Sequence, residues 1–198
     1  MKYKKISLEG FGSFCSPSTL PLDRLGINLV KGENGVGKTT IFNALVWCEY
    51  GKTVKKSIES WDKIRSNEFR GTRVVIDRTD GIYDYRIARH HKFKGTTCGL
   101  LGESRLMVFK KEISEDAFTS DHLVGEGLHK NDMQILIEQQ LGCEHRTFVN
   151  SIIMRQKMAG LIGMSNNEKR ELFDKLFEID FIEPAKDRAK EKKTNLNF

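Results

Sequence analysis

Eight consecutive residues constrain this chain more than any other feature. Gly32-Glu33-Asn34-Gly35-Val36-Gly37-Lys38-Thr39 matches G-x-x-x-x-G-K-[ST] at every fixed position. Glycines let a backbone wrap closely round phosphate oxygens, and successive N–H groups then point inward as a nest. A helix that starts at the same spot adds the positive end of its dipole. Here the cradle runs over Gly32, Asn34, Gly35, Val36, Gly37, Lys38, Thr39 and Thr40. Lys38 is placed to reach the β- and γ-phosphates as a point charge, and the Thr39 hydroxyl to ligate Mg²⁺. The motif points to a nucleoside triphosphate and does not by itself choose a reaction.

The motif needs a strand before it and a helix after it. Ile27-Asn28-Leu29-Val30 is a short apolar run whose length, with the glycine that follows, predicts a buried strand. Thr39–Tyr50 reads as a helix ended by Gly51. Residues 2–8 alternate as a strand, and Gly10 to Ser18 read as a loop. Val74–Asp77 and Tyr83–Arg89 flank Asp80-Gly81, a turn signal that predicts a hairpin. Residues 92–104, with Gly95, Gly99 and Gly102, read as a loop, and Leu106–Phe109 as a further strand.

From about residue 130 helices take over. Asn131 or Asp132 can cap Met133–Leu141, and Gly142 can close it. Arg146–Met154 reads as helix passing into strand. Ser165-Asn166-Asn167-Glu168 has the form of a capping box, ahead of an apolar stripe of Leu172, Phe173, Leu176 and Phe177. Pro184–Phe198 predicts a helix so charged that it cannot pack into a globular core. The expected fold is α/β. A lobe over 1–163 surrounds the phosphate-loop helix with a mixed sheet that includes an antiparallel hairpin, and a helical segment follows over 164–198. A doubly wound kinase or GTPase would alternate strand and helix after the loop.

Other classes fall away. No run of about 18 apolar residues is present, so no membrane helix is expected. The N-terminus is basic but lacks the apolar stretch of a signal peptide. Cys15, Cys48, Cys98 and Cys143 are widely spaced without a CxxC pair, which fits a reduced cytoplasmic compartment and neither a disulfide framework nor a zinc site. Lys plus Arg exceed Asp plus Glu by 33 to 27, a net +6 that favours polyanionic partners.

A phosphate-loop ATPase also needs an apolar strand ending in an acidic residue, the Walker B strand. Val74-Val75-Ile76-Asp77 is the nearest candidate, but Arg78 follows it and it falls in the hairpin, where an edge strand with a solvated Asp is expected. The chain thus carries the phosphate cradle without the carboxylates that support Mg²⁺ and position water. Either another polypeptide supplies them, or this is a fragment.

Read together, these pieces resemble the N-terminal half of the Rad50/SMC-type ATPase head of the ABC class. They are most similar to the large subunits of T4-like phage recombination endonucleases and to bacterial SbcC. The matching residues are Lys5-Ile6-Ser7-Leu8-Glu9-Gly10-Phe11, Ile27 to Gly32 leading into the phosphate loop, and Phe42-Asn43-Ala44-Leu45 with Tyr50-Gly51. Tyr85-Arg86-Ile87-Ala88-Arg89 and Leu141-Gly142 with Phe148, Ile152 and Gln156 continue the series.

The resemblance implies ATP with Mg²⁺, and for Gln156 the role of a Q-loop glutamine that ligates Mg²⁺ and senses the γ-phosphate. It implies that a C-terminal half of the same head, beyond a coiled coil begun by Pro184–Phe198, carries the signature motif and Walker B strand. Two such heads would form a homodimer around ATP, gate a separate Mre11-like nuclease subunit and bind double-stranded DNA. The setting would be the cytoplasm of a bacterium or of a phage-infected host. Where many relatives have an Arg after the first strand, this chain has Phe11-Gly12-Ser13-Phe14.

Lys55, Lys56 and Arg65, with Lys92 and Lys94, are the candidate contacts to DNA phosphates, which need cations but no base code. His90-His91 is not expected to hold a metal, because adjacent strand residues face opposite ways. Trp47 and Trp61 are expected in the core. The alternatives are a RecF-, RecN- or SMC-like head without a nuclease partner, and a DNA-binding or assembly module that does not hydrolyse ATP. A P-loop kinase is disfavoured by the lack of an Arg-rich lid.

Overall fold

The computed structural model describes residues 1–24, 26–27, 29–54, 71–125, 129–151, 153 and 165–176. The chain divides into two compact units, Met1–Gly142 and Cys143–Phe198.

The first unit is built on a five-stranded sheet. Its strands are β1 (Lys2–Glu9), β2 (Ser18–Pro21), β3 (Thr72–Thr79), β4 (Tyr83–His91) and β7 (Leu106–Glu112), in the spatial order β2-β1-β3-β4-β7. The expected hairpin is present: β3 pairs antiparallel with β4 from Thr72↔His91 to Thr79↔Asp84. Asp80 makes the turn, its Oδ1 accepting from the Ile82 and Tyr83 amides at 2.8 and 2.7 Å and its Oδ2 from the Tyr85 hydroxyl at 2.8 Å. A register shift between Tyr3 and Lys5 bulges β1 against β3. The adjacent Lys4 and Lys5 therefore both reach carboxylates, Asp84 at 2.7 Å and Asp77 at 3.1 Å.

Residues 92–104 are not the loop expected. They form a second hairpin, β5 (Phe93–Thr97) and β6 (Leu100–Glu103), closed by Cys98-Gly99 with φ of 49° and 82°. Two central residues at positive φ make the two-residue turn that suits strand twist. A cysteine in place of the usual Asn or Asp hid the signal.

The sheet is buried on two faces. On one, Val75, Ala88, Met107 and Phe109 gather with Cys98 and Leu100 of the second hairpin and with Phe118 and Leu123. On the other lies α1 (Lys38–Tyr50), whose Cys48 Sγ sits 3.4 Å from both the Val74 and Ile87 carbonyl oxygens. Helix α2 (Lys130–Leu141) contributes Met133 and Ile137 to the interior. Its N-cap is His129, two or three residues before the expected caps and without a side-chain cap bond, and it ends as expected at Gly142 with φ 68°.

The run Ile27–Val30 departs most from expectation. It forms no strand among the described residues, and Ile27, Leu29 and Val30 are 101%, 86% and 38% exposed. A strand needs a neighbour to pair with, and no described strand flanks this one.

The second unit holds α3 (His145–Ser151) and α4 (Asn166–Leu176). The capping box forms as its sequence implies: the Ser165 amide donates to Glu168 Oε2 at 3.0 Å and the Glu168 amide to Ser165 Oγ at 3.3 Å. Phe173 is exposed, and Phe177, the strand expected toward Met154 and the helix expected from Pro184 lie outside the described residues. No described helix is long and apolar enough to cross a membrane.

Candidate phosphate-binding site

Helix α1 opens at Lys38 from an N-cap, Gly37, at φ 107° and with no side-chain cap bond. Its first amides are thus left to whatever binds there, the arrangement an anion uses. Gly35 is also left-handed, at φ 88°. The cradle residues Gly32 to Val36 and Thr39 are exposed, while Gly37, Lys38 and Thr40 are half-buried. Lys38 Nζ donates to the carbonyl oxygens of Gly32 and Glu33, both at 2.7 Å, so the ammonium lies within the loop's own curve.

The loop is braced from behind by the turn after β1. Phe11 and Phe14 exchange two backbone hydrogen bonds of 3.0 Å, which draws Gly12 and Ser13 into a tight tip. A Cβ on Gly37 would fall 2.2 Å from Ser13 Oγ and 3.0 Å from the Phe14 ring. One on Gly12, at φ 55°, would fall 2.6 Å from Thr40 Cγ2. Backbone angle therefore favours glycine at Gly12 and Gly37, and a Cβ at either would also have to displace the Thr40 methyl or the Ser13 hydroxyl. Phe11 is buried and meets Trp47 edge to face at 5.7 Å, which roots the brace in the core and places Trp47 there as expected.

The far end of α1 is buried and polar. Gly51 ends it at φ 68°. Arg89, 2% exposed, donates from Nε to the Cys48 carbonyl at 2.9 Å and from Nη2 to the Glu49 carbonyl at 3.3 Å. Burial lowers its pKa to about 10. The Glu49 side chain is fully buried beside Arg78 and the Tyr3 phenol. Burial raises its pKa, and Arg78 opposes the rise. This cluster went unread in the sequence, although an Arg on the inward side of Ile87-Ala88-Arg89 was a visible signal.

Asp77 is neither solvated nor on an edge strand, contrary to expectation. Strand β3 lies between β1 and β4, and Asp77 takes a bidentate pair of bonds from Arg86, at 2.7 and 2.8 Å, with Lys5 beside it. His90 is buried, its Nε2 3.0 Å from Thr97 Oγ1. Among the described residues no three or more of His, Cys, Asp and Glu gather as metal ligands would. Lys92 and Lys94 are exposed at the root of the second hairpin. Gln156, Lys55, Lys56, Arg65, Trp61 and Ile152 lie outside the described residues.

The AAA domain family matches residues 5–197. The C component of the nuclease SbcCD of Treponema pallidum (strain Nichols) is 26% identical over 97% of this chain and 18% of its own length. A probable DNA double-strand break repair Rad50 ATPase of Aquifex aeolicus (strain VF5) is 21% identical over 99% of this chain and 18% of its own. The chromosome partition protein Smc of Mycobacterium leprae (strain TN) is 25% identical over 87% of this chain and 15% of its own. The chain thus spans under a fifth of the length of each of these relatives.

Proposed function

Because this chain belongs to the AAA domain family and is an N-terminal ATPase-head segment of the Rad50, SbcC and Smc kind, we propose that it is the ATP-binding part of a Rad50-like subunit in a DNA recombination and repair nuclease complex. One observation carries this reading. A glycine-rich loop with the sequence form of a phosphate cradle stands at the open end of α1, directly after an apolar run, Ile27 to Val30, that nothing described covers. That run fits a strand of a second half-head, which would bring the catalytic carboxylates and the signature motif.

The cradle suits a triphosphate: uncapped helix amides, left-handed glycines and one lysine already curled into the loop. Lys38 would trade the Gly32 and Glu33 carbonyls for phosphate oxygens. Thr39 and Gln156 would hold Mg²⁺, which neutralises charge between the phosphates. Two completed heads would dimerise on ATP and gate an Mre11-like nuclease on double-stranded DNA. Lys55, Lys56, Arg65, Lys92 and Lys94 would contact its phosphates, in the cytoplasm of a bacterium or of a phage-infected host. The Smc relatives favour one second reading, a head without a nuclease partner.

The test is Mg²⁺-dependent ATP hydrolysis by this chain alone and with the C-terminal half of the head added as a separate polypeptide. Hydrolysis that appears only with both, and vanishes in Lys38→Ala, is the expected result. Turnover by the chain alone at an ordinary rate of about 10 s⁻¹ would overturn it. Retention of a nuclease by the reconstituted head, or its absence, separates the two readings.

A further inference from the structure

The phosphate loop sits on the open end of α1, and the other end of that helix is held by a clamp for which packing alone gives no reason. The helix has 13 residues, about 20 Å at 1.5 Å per residue. Its last turn is buried, so its free carbonyls need donors that water cannot supply. Arg89 and Gln134 supply them. Arg89 bridges the Cys48 and Glu49 carbonyls, and Gln134 Nε2 donates to the Glu49 carbonyl at 2.8 Å. Gln134 Oε1 in turn accepts from Arg89 Nη2 at 2.6 Å, and Gln134 Nε2 also reaches Glu138 Oε1 at 2.9 Å, so the amide has one orientation.

A second strap runs parallel to the first. Arg78 faces the Glu49 carboxylate and donates from Nη2 to Gln140 Oε1 at 3.0 Å. Two glutamines of α2 therefore each hold a sheet arginine that grips Glu49, one by its backbone and one by its side chain.

Apolar packing is non-directional, whereas hydrogen bonds to a helix's last carbonyls are directional and fix both its height and its rotation. Placement errors of about 1 Å between groups that must meet a ligand in one geometry can cost about 100-fold in reaction rate, and a phosphate cradle is as dependent on geometry. We propose that Arg89 and Gln134 are positioning residues for the phosphate loop: through α1 they set its height and rotation, and the seating of α2 thereby sets nucleotide affinity. The proposal rests on the reading of that loop as the ATP site. Lysine cannot replace Arg89, because the grip needs a planar fork across two carbonyls and an amide.

The test compares Gln134→Met and Arg89→Lys with Leu45→Ala, which loosens α1 without touching the clamp. Three quantities are read on the whole chain: thermal midpoint, affinity for a fluorescent ATP analogue with Mg²⁺, and amide exchange over Gly37–Ile41 without nucleotide. The expected result is that both clamp variants, folded by circular dichroism, weaken binding at least fivefold and speed exchange over Gly37–Ile41. Leu45→Ala should lose as much thermal stability and keep affinity within twofold. Effects that merely follow the loss in midpoint across all three variants, or wild-type behaviour of Arg89→Lys, would overturn the proposal. Failure of the wild-type chain to bind the analogue would instead sink the ATP-site reading, and the exchange rates would still decide the clamp.

Discussion

Arg78 and Glu49 face each other in the interior with neither side chain exposed, Arg78 Nε standing 3.7 Å from Glu49 Oε1. The pair ties β3 to the last turn of the phosphate-loop helix. At that separation it is an ion pair rather than a hydrogen bond. Its strength therefore comes from the low dielectric around it, which also makes either partner expensive to leave alone.

Glu49→Leu should accordingly destabilise the chain by about 3–5 kcal/mol, because it strands a buried guanidinium. Glu49→Leu combined with Arg78→Met should recover most of that loss, since the charge is then gone from both sides. Urea unfolding of the two single variants and the double completes the cycle. A double variant as unstable as the sum of the singles would show that the two charges do not interact.

The brace behind the phosphate loop makes a sharper claim about sterics. Gly12→Ala should lose about 1–3 kcal/mol from its left-handed backbone, and more from the collision with the Thr40 methyl, which would stand 2.6 Å away. Adding Thr40→Ser removes that methyl and should return the collision share alone. Thermal unfolding measures both, and no gain from Thr40→Ser would mean that the turn moves aside freely.

Asp77 is held by Arg86 and Lys5, so its work is structural. Asp77→Asn should cost about 1.5–3 kcal/mol, the scale of hydrogen bonds to a charged group. It should leave ATP affinity and its Mg²⁺ dependence unchanged. A loss of Mg²⁺ dependence in isothermal titration would return Asp77 to the nucleotide site.

His90 gives the chain a pH signature. Burial, with Arg73 nearby, lowers its pKa from 6.5 to about 4. The folded state thus keeps the ring neutral while the unfolded chain takes up a proton. This contribution is complete above pH 6.5 and is lost as pH falls toward 4, by about 3 kcal/mol at 1.36 kcal/mol per unit. His90→Gln keeps a partner for Thr97 and should flatten that part of the stability profile from pH 7 to 4.5. A profile as steep as the wild type would assign the slope to other groups.

Much of this molecule was legible in its residues. The helix after the glycine-rich loop and the Gly51 and Gly142 stops follow from local rules of backbone angle and capping, which need no partner. So do the Asp80 turn and the Ser165 cap. What escaped was non-local. The clamp of Arg89 and Gln134 joins residues 45 positions apart, and the brace of Ser13 on the phosphate loop joins residues 23 apart. Neither leaves a periodic trace. The second hairpin was missed because Cys98 occupies a turn position that Asn or Asp usually fills. Ile27 to Val30 misled for another reason: an apolar run predicts burial, but burial needs something to cover it.

That uncovered run also governs how the chain behaves in a tube. Ile27 and Leu29 of the run, with Val36 of the loop beside it, present aliphatic side chains to water. At high concentration such a surface finds its own kind. Sulfate salts, which strengthen apolar association, should bring on turbidity early, and a single Leu29→Lys exchange should delay it. Solubility thus becomes a cheap gauge of cover: whatever seats on that run should clear the solution.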